Sequence, residues 1–481
     1  MARNYNSQNI NDLEDFINHV AEEILNNNLS LFIGAGSSMQ YDAMNWQELV
    51  DSVYKGRKDW NNLDKAQYAE LRGINIKSEI CNKMKSLVID EMRTDTYLYH
   101  LLDFDYKSIW TTNYDSVIES ILKTKSKSYL SIYKYNHFKN LSFPGQNFLF
   151  KINGSSDSPE SIMITKEDFI DYRRSHEAYL ILLKRELLCQ SFLFLGCSFN
   201  DDILRICIKD ILNCIDNSRE NYSTNHYAII VDRNNDMLDF ISKDLQNHYN
   251  INCLIVNEPK LAYKFAYGIA CKVKYTSIFV SGARAFIRHS PAENQGKLVC
   301  REIIEAFEKQ KTLPFKFICG MGMSIGNFIC GSIKSVYKNF NINRYLQMEP
   351  FPFSSPQSNE NHRKRIMSKA GIFLFLYGDF DGDERSIFKS GIWKEYQEAK
   401  QSPDNIIIPL PCGKDSISQY IFSIELNDPK SFTFKNQAIF QKFNYQASNE
   451  EFFNELVTKI ILASRISMDE ALNRILKGQT D

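Results

Sequence analysis

Apolar and polar positions along the chain fall into two series of the same kind. Residues 10–26 carry apolar side chains at helical spacing and lead into "LSLFIGAGSSM", a short apolar run that ends in a glycine turn. That pattern predicts a helix followed by a buried strand. Further runs of strand length follow at "SIWTTNYD", "NFLFKING", "SFLFLGCSF", "HYAIIVD" and "INCLIVN", with helical stretches between them. A second series opens at "YTSIFVSGAR" (Tyr275 to Arg284) and continues with a long helix near 292–310 and "FKFICGMGMSIGNFICGSIKSVY". It closes with "AGIFLFLYGDF", a helix from about residue 391, and "NIIIPLPCG". Uninterrupted apolar strands alternating with helices predict an α/β fold: two Rossmann-like, doubly wound domains, each a parallel sheet covered on both faces. The boundary is expected near Lys272–Lys274, giving domains 1–273 and 274–481. No long Pro/Gly/Ser linker separates them, so the halves are expected to pack against each other.

Composition narrows the function classes. A chain of 481 residues exceeds one ordinary core, and 43% hydrophobic with 24% charged residues is ordinary for a globular protein. A formal net charge of −1 argues against nucleic acid or an anionic membrane as partner. The N-terminus, "MARNYNSQNINDLEDFINHVAEEIL", is polar and lacks the apolar core of a signal peptide. The eleven cysteines are scattered, and no C-x-x-C occurs. Reduced thiols in the cytoplasm are expected, and no metal site.

Candidate chemistry gathers at predicted strand ends. Gly34, Ala35 and Gly36 follow the first strand directly, and Ser37, Ser38 and Met39 open what comes next. Glycines let a backbone approach a phosphate, and N–H groups at a helix start favour the anion. "WTTNYD" ends a strand with Asn113 and Asp115; "FLGCSF" offers Gly196 and Ser198; "LIVNE" puts Asn257 after the last strand of this half. Small and amide residues at four strand ends describe one ligand crevice. The alternative for Asn113 and Asp115 is helix capping. In the second half, Gly320, Gly322 and Gly326 precede an apolar helix and can present N–H groups to phosphates, although tight strand–helix packing explains them equally well. Arg363, Lys364, Arg365 and Lys369 make a basic helix face just before the next strand, either solvated surface or a diphosphate partner.

In this order the first set, from GAGSS through TTNYD and GCSF to the terminal VN, resembles the sirtuin fold over roughly residues 10–272. The resemblance implies NAD+ as substrate, cleaved at its nicotinamide–ribose bond. It places Gly34, Ala35, Gly36, Ser38 and Met39 at the diphosphate, Asn113 and Asp115 at the nicotinamide ribose, and Gly196, Ser198 and Asn257 at the adenosine. Protein-deacylating sirtuins carry a zinc ribbon of two C-x-x-C pairs, absent here, so water is the implied acceptor rather than acetyl-lysine. Where sirtuin-like sequences read His-Gly, this chain reads Asn153-Gly154. The family His accepts a proton; an amide cannot. Two origins are open, a His→Asn replacement made to trap the NAD-bound state and a natural loss of the base, and the otherwise intact site favours the first.

The second half resembles the SLOG domain, a nucleotide-sensing relative of Rossmann-type enzymes, and lacks their PGGxGT motif. A sirtuin-like half followed by SLOG resembles the ThsA family, the NADase effectors of the Thoeris anti-phage system. That resemblance implies an effector that depletes cellular NAD when its SLOG domain binds a cyclic ADP-ribose isomer made by a TIR-domain partner, ThsB. It also implies homo-tetramers and filaments on activation. Signal contacts are implied at Gly282, Ala283, Gly322, Met323, Arg363 and Glu395. Ala283 stands where the family has Ser, and Asp379-Phe380 follow the "YG" turn where it has a basic residue; Lys389 is the candidate to supply that charge. Two other readings stand beside it: a catalytically dead NAD- and nucleotide-binding sensor acting through assembly, and a protein deacylase, which the missing zinc module disfavours.

Overall fold

The structure is a computed structural model that describes the chain except residues 1–3, 7–9, 87–92, 143–145, 198–224, 232–242, 248–249, 287, 311–314, 321–323, 338–341, 353–354, 380–383, 414 and 479–481. The chain divides into two compact units, Met1–Tyr267 and Gly268–Asp481, with the helix Pro259–Tyr275 running through the division.

Among the described residues the first unit is built on eight strands: β1 (Asn4–Asn6), β2 (Leu29–Ile33), β3 (Ser108–Thr111), β4 (Tyr129–Ile132), β5 (Asn147–Lys151), β6 (Ser191–Leu195), β7 (His226–Val231) and β8 (Ile251–Val256). They lie in the order β1-β8-β7-β6-β2-β3-β5-β4, and every pairing is parallel. β2, β3 and β6 are buried along their whole length, which is why they read as unbroken apolar runs rather than alternating ones. Phe32, Trp110, Phe150, Phe192 and Phe194 face one layer, closed by Tyr179, Leu183 and Leu187 of the helix Glu177–Cys189. Leu31, Ile33, Ile109, Leu193 and Leu195, alternate residues on the same strands, are buried on the opposite side. The chain turns one way from β2 into β3 and returns to the other side of β2 as β6, so the topological switch lies at the C-terminal end of β2.

Between β2 and β3 a helical module, with helices Trp46–Val53, Asn62–Leu71 and Ile76–Ser86, encloses Tyr114, Ile162 and Ile164 in a small core of its own. It therefore grips both loops that follow β3 and β5.

The second unit has β9 (Ser277–Ala283), β10 (Lys316–Cys319), β11 (Leu346–Met348), β12 (Ile372–Tyr377) and β13 (Ile406–Pro409) in the order β11-β10-β9-β12-β13, again all parallel. Alternation sorts the sheet into two layers. Ile278, Val280, Ile372, Leu374 and Ile408 pack against the helices Pro291–Lys309, Ile325–Val336 and Glu450–Gly478. Phe279, Ile318, Phe373, Phe375 and Ile407 pack against Pro356–Met367, Gly391–Ala399 and Ile417–Leu426. Each fully buried Phe or Ile in these layers stabilises the fold by about 1.5–3 kcal/mol. β9 lies between its two neighbours in the same way as β2, so a second switch sits at Gly282 and Ala283. Both units are doubly wound α/β sheets, as the apolar runs predict.

Candidate functional site

At the end of β2 the glycine turn is held largely by backbone, with the Ser37 hydroxyl adding a bond to Leu195 O at 3.2 Å. Gly34 N–H donates to Leu195 O at 2.8 Å, Gly36 N–H to Gly196 O at 3.0 Å, and Ser37 N–H to Gly34 O at 3.0 Å. A Cβ on Gly34 would come within 2.4 Å of Gly196 O, and one on Gly196, at φ +62, within 2.3 Å of Ser37 N. These glycines let the loops after β2 and β6 touch. The N–H groups of Gly34 and Gly36, assigned above to a diphosphate, are engaged in that contact. Ser38 is buried, Ala35 is partly exposed, and Met39 is 44% exposed on the following turn.

Thr111, Asn113 and Ser38 lock the next strand end to this loop. The Thr111 hydroxyl donates to Ile33 O at 2.7 Å and accepts from Asn113 N–H at 3.0 Å, while Asn113 Nδ2 donates to Ser38 Oγ at 2.9 Å. Asn113 Oδ1 is buried and has no hydrogen-bond partner. An unpaired buried carbonyl costs about 1–3 kcal/mol, so this atom is a ready acceptor for a bound hydroxyl or water. Asp115 stands just before Ser116, the N-cap of the helix Val117–Thr124, and its Oδ1 accepts from Val117 N–H at 3.0 Å.

Asn153 follows β5 at the same height. Thr111 and Lys151 pair across β3 and β5, so Asn113 and Asn153 each lie two residues beyond a paired position. Asn153 is 7% exposed, and the Tyr172 hydroxyl lies 3.5 Å from its Oδ1. His176 stacks on the Tyr172 ring at 4.4 Å, and burial lowers its pKa to about 4, so it is neutral at physiological pH. Gly154, at φ +96, has Ser161 O 2.1 Å from where a Cβ would be, so the turn after Asn153 admits only glycine.

Lys151, to which the sequence reading gave no role, holds the two loops in place. Its side chain is fully buried, and Nζ donates to Tyr114 O at 3.3 Å, Asp115 O at 2.6 Å and Glu119 Oε1 at 2.7 Å. All three ammonium protons are taken. The signal for it was a lysine inside an otherwise apolar strand, "FLFKI", which needs a partner on burial.

Asn257 is exposed just after β8, which is separated from β2 by β7 and β6. Ser198 lies outside the described residues.

The second unit gathers charged groups instead. Gly282 lies against β12, where a Cβ would meet Leu376 O at 2.5 Å, and Ala283 pairs with Tyr377. Ser281 Oγ donates to Glu395 Oε2 at 2.5 Å. Glu395 is buried on the helix Gly391–Ala399, which Ser390 caps by accepting from Trp393 N–H. Burial raises its pKa to about 7, against the opposing effects of the Ser281 hydrogen bond and the Arg363 charge. Arg363, 9% exposed on the helix Pro356–Met367, brings Nε to 3.9 Å from Glu395 Oε1, too far for a hydrogen bond, and that Nε has no partner. Its guanidinium lies over Phe351 at 5.3 Å. Lys389 is exposed at the end of the helix Glu384–Lys389. Gly322 and Met323 lie outside the described residues.

Comparison with known proteins matches residues 107–254 to a family of SIR2-like domains and residues 267–464 to the Sir2- and TIR-associating SLOG family. The chain carries a SIR2-like domain followed by a SLOG domain. Over most of its length it is similar to proteins named NAD(+) hydrolase ThsA. The one from Acinetobacter baumannii (strain 532279) is 26% identical over 464 residues, 89% of this chain and 94% of the relative. That from Enterococcus faecium is 24% identical over 443 residues, 86% and 91% respectively. That from Bacillus cereus (strain MSX-D12) is 23% identical over 428 residues, 83% and 86%. The SIR2-like domain thus holds the amide and hydroxyl cluster, and the SLOG domain the arginine–carboxylate cluster. Among the described residues no group of three or more His, Cys, Asp or Glu could hold a metal ion, and no helix is long and apolar enough to cross a membrane.

Proposed function

We propose that the SIR2-like domain binds NAD+ and hydrolyses its nicotinamide–ribose bond as an effector of anti-phage defence in the cytoplasm. The observation that carries this reading is the Asn113–Ser38 bond, which leaves Asn113 Oδ1 buried and unpaired at the switch point. In the reaction the bond from ribose C1′ to the nicotinamide nitrogen breaks and its electron pair leaves with nicotinamide. Water adds to C1′ and a proton is released, giving ADP-ribose. Asn113 Oδ1 orients the ribose hydroxyl or the water, and the buried loops exclude bulk solvent from the oxocarbenium-like centre. The group facing it at 153 is an amide, which holds shape but takes no proton, so turnover by this chain is low.

The SLOG domain is the sensor in this proposal. Its ligand is a cyclic ADP-ribose isomer supplied by a TIR-domain partner, ThsB, with Arg363 at phosphate and Glu395 at a ribose or base. Binding favours the active arrangement of a homo-tetramer or filament by differential affinity. The names of the relatives and the description of the SLOG family support this reading.

Asn153 supports a second reading, a non-hydrolysing NAD- and nucleotide-binding sensor that acts through assembly. One experiment separates them: nicotinamide release by this chain and by Asn153→His, with and without cyclic ADP-ribose isomers. Ligand-dependent release by the His variant supports the hydrolase. NAD+ binding without release by either protein, at any ligand concentration, sinks it.

A further inference from the structure

Among the described residues, the side chain at position 153 has one hydrogen-bond partner. The backbone there is pinned: Asn153 O accepts from Met163 N–H at 3.0 Å, and Gly154 N–H donates to Lys151 O at 3.1 Å. The amide is buried, and its partner is the Tyr172 hydroxyl, 3.5 Å from Oδ1. The same hydroxyl lies 3.4 Å from Ile152 O. One phenolic proton thus has two acceptors in reach, a backbone carbonyl and the side chain that follows it.

Packing keeps Tyr172 from turning away. It is buried, and its ring is stacked with Phe169 at 5.8 Å and with His176 at 4.4 Å, the planes 21° and 8° apart. His176 is fixed in turn. Its Nδ1 lies 2.9 Å from Ser175 Oγ, its backbone N–H donates to Tyr172 O at 2.8 Å, and Tyr179 stacks with it at 5.6 Å. Tyr179 belongs to the core layer that holds Trp110 and Phe150. A ladder of rings therefore carries the rigidity of the core out to one hydroxyl beside position 153. The stacking itself requires a ring and no hydroxyl. Charged groups on the neighbouring elements are engaged elsewhere: Lys151 with Glu119 and Asp168 with Lys77, both at 2.7 Å, Asp171 with Arg174 at 3.0 Å, and Asp115 with Val117 N–H. His176 is neutral, because burial lowers its pKa.

We infer that Tyr172 is the positioning residue for position 153: it fixes the direction of the side chain there and, when that side chain is imidazole, selects the ring nitrogen that takes the proton. This rests on the hydrolase reading above and adds the residue that orients its base. With the phenolic proton donated to Ile152 O, the phenolic oxygen accepts an N–H from the imidazole. The second ring nitrogen then carries no proton and is the base. During hydrolysis it takes the one proton released, while Tyr172 keeps its own. The phenolic oxygen also stabilises the imidazolium that results, which raises the pKa of the base. The amide of Asn153 occupies the same seat without a basic nitrogen.

The test is nicotinamide release from NAD+ by full-length Asn153→His and by the double variant Asn153→His, Tyr172→Phe, across a pH series with the cyclic ADP-ribose isomers present. Loss of the hydroxyl should lower kcat by about ten- to a hundredfold and leave KM for NAD+ within about twofold. The acid limb of the kcat profile should move to lower pH, because the imidazolium loses an acceptor. A purely structural role would reduce the folded fraction and leave that limb in place, and this outcome overturns the inference. So does a rise in KM at constant kcat, which would make Tyr172 a substrate contact. Should the double variant fail to fold, NMR of Asn153→His with nitrogen-labelled histidine decides: one tautomer at position 153 supports the inference, and a mixture of the two overturns it. If Asn153→His binds NAD+ and releases no nicotinamide, with or without the isomers, the hydrolase reading fails and takes this inference with it.

Discussion

The two switch points share a topology and differ in how their polar groups are used. At the end of β2 nearly every donor is satisfied within the protein: two glycine N–H groups by the β6 loop, Asn113 Nδ2 by Ser38, and all three Lys151 protons by the loop after β3 and Glu119. Asn113 Oδ1 is left without a partner. At the end of β9 a buried donor, Arg363 Nε, is held in place without an acceptor beside Glu395. The first arrangement presents neutral groups to a reacting centre, and the second attracts charge. A rigid, internally satisfied site suits chemistry on a bond, whereas an unsatisfied cationic site suits reversible capture of an anion.

The largest effect expected from this contrast is catalytic. Asn153→His should raise nicotinamide release by about 10²–10⁴-fold, the usual contribution of a general base. Asn113→Ala in that background should abolish it while NAD+ still binds. Retained turnover would confine Asn113 to linking the loops.

Next is the contrast between the cations. Lys151→Met removes the buried partner of Glu119 and one hydrogen bond to Asp115 O, so denaturant unfolding should show a loss of about 2–4 kcal/mol. Arg363→Met should cost about 1 kcal/mol or less, because Glu395 can stay protonated once its neighbour has gone. Equal losses would mean that both cations are structural, and the distinction between the sites would collapse.

A pH series gives a smaller effect. The folded pKa of Glu395, about 7, lies above its ordinary value of 4.5. Between those values the folded protein binds more protons than the unfolded chain, so this group's contribution to stability falls as pH rises from about 4.5 to 7. Other raised carboxyls, Glu23, Glu186 and Glu398, act in the same direction. The measurable quantity is therefore the difference between the parent and Glu395→Gln, expected to be about 1–3 kcal/mol across that window. Parallel curves would show that Glu395 is ionised throughout.

The smallest effect is that of salt. Between 50 and 200 mM, binding of a cyclic nucleotide to the SLOG domain should weaken by roughly three- to tenfold, and NAD+ binding by less than about twofold. The reverse ranking would exchange the roles of the two regions.

Much of this was legible in the sequence because buried parallel strands are continuous apolar runs. β2, β3, β5, β6, β7 and β8 were visible that way, as were β9, β10, β12 and β13. β1 (Asn-Tyr-Asn), β4 (Tyr-Leu-Ser-Ile) and β11 (Leu-Gln-Met) were not, since short edge strands with polar residues carry no such run. Asn113, Asp115 and Asn153 could be placed at strand ends from pattern alone. That Asp115 accepts from the first N–H of a helix while Asn113 joins Ser38 depends on side-chain directions that spacing does not encode. Arg363 and Glu395 were visible as charges on two predicted helices, but their approach across Ser281 joins three separate segments, and no local motif links residues that far apart.

The pairing of β1 with β8 has a consequence in time. Asn4 is bonded in register with Cys253, so one of the earliest segments made waits for one of the last in its domain. At about 5–20 residues per second, the ribosome separates the two by on the order of ten to fifty seconds. During that interval the sheet can assemble from β2 outward, but the segment that closes its β8 edge has no template. Assembly of this domain therefore ends at an edge rather than at its centre. A nascent chain stalled before β8 would carry the finished glycine turn on an incomplete sheet.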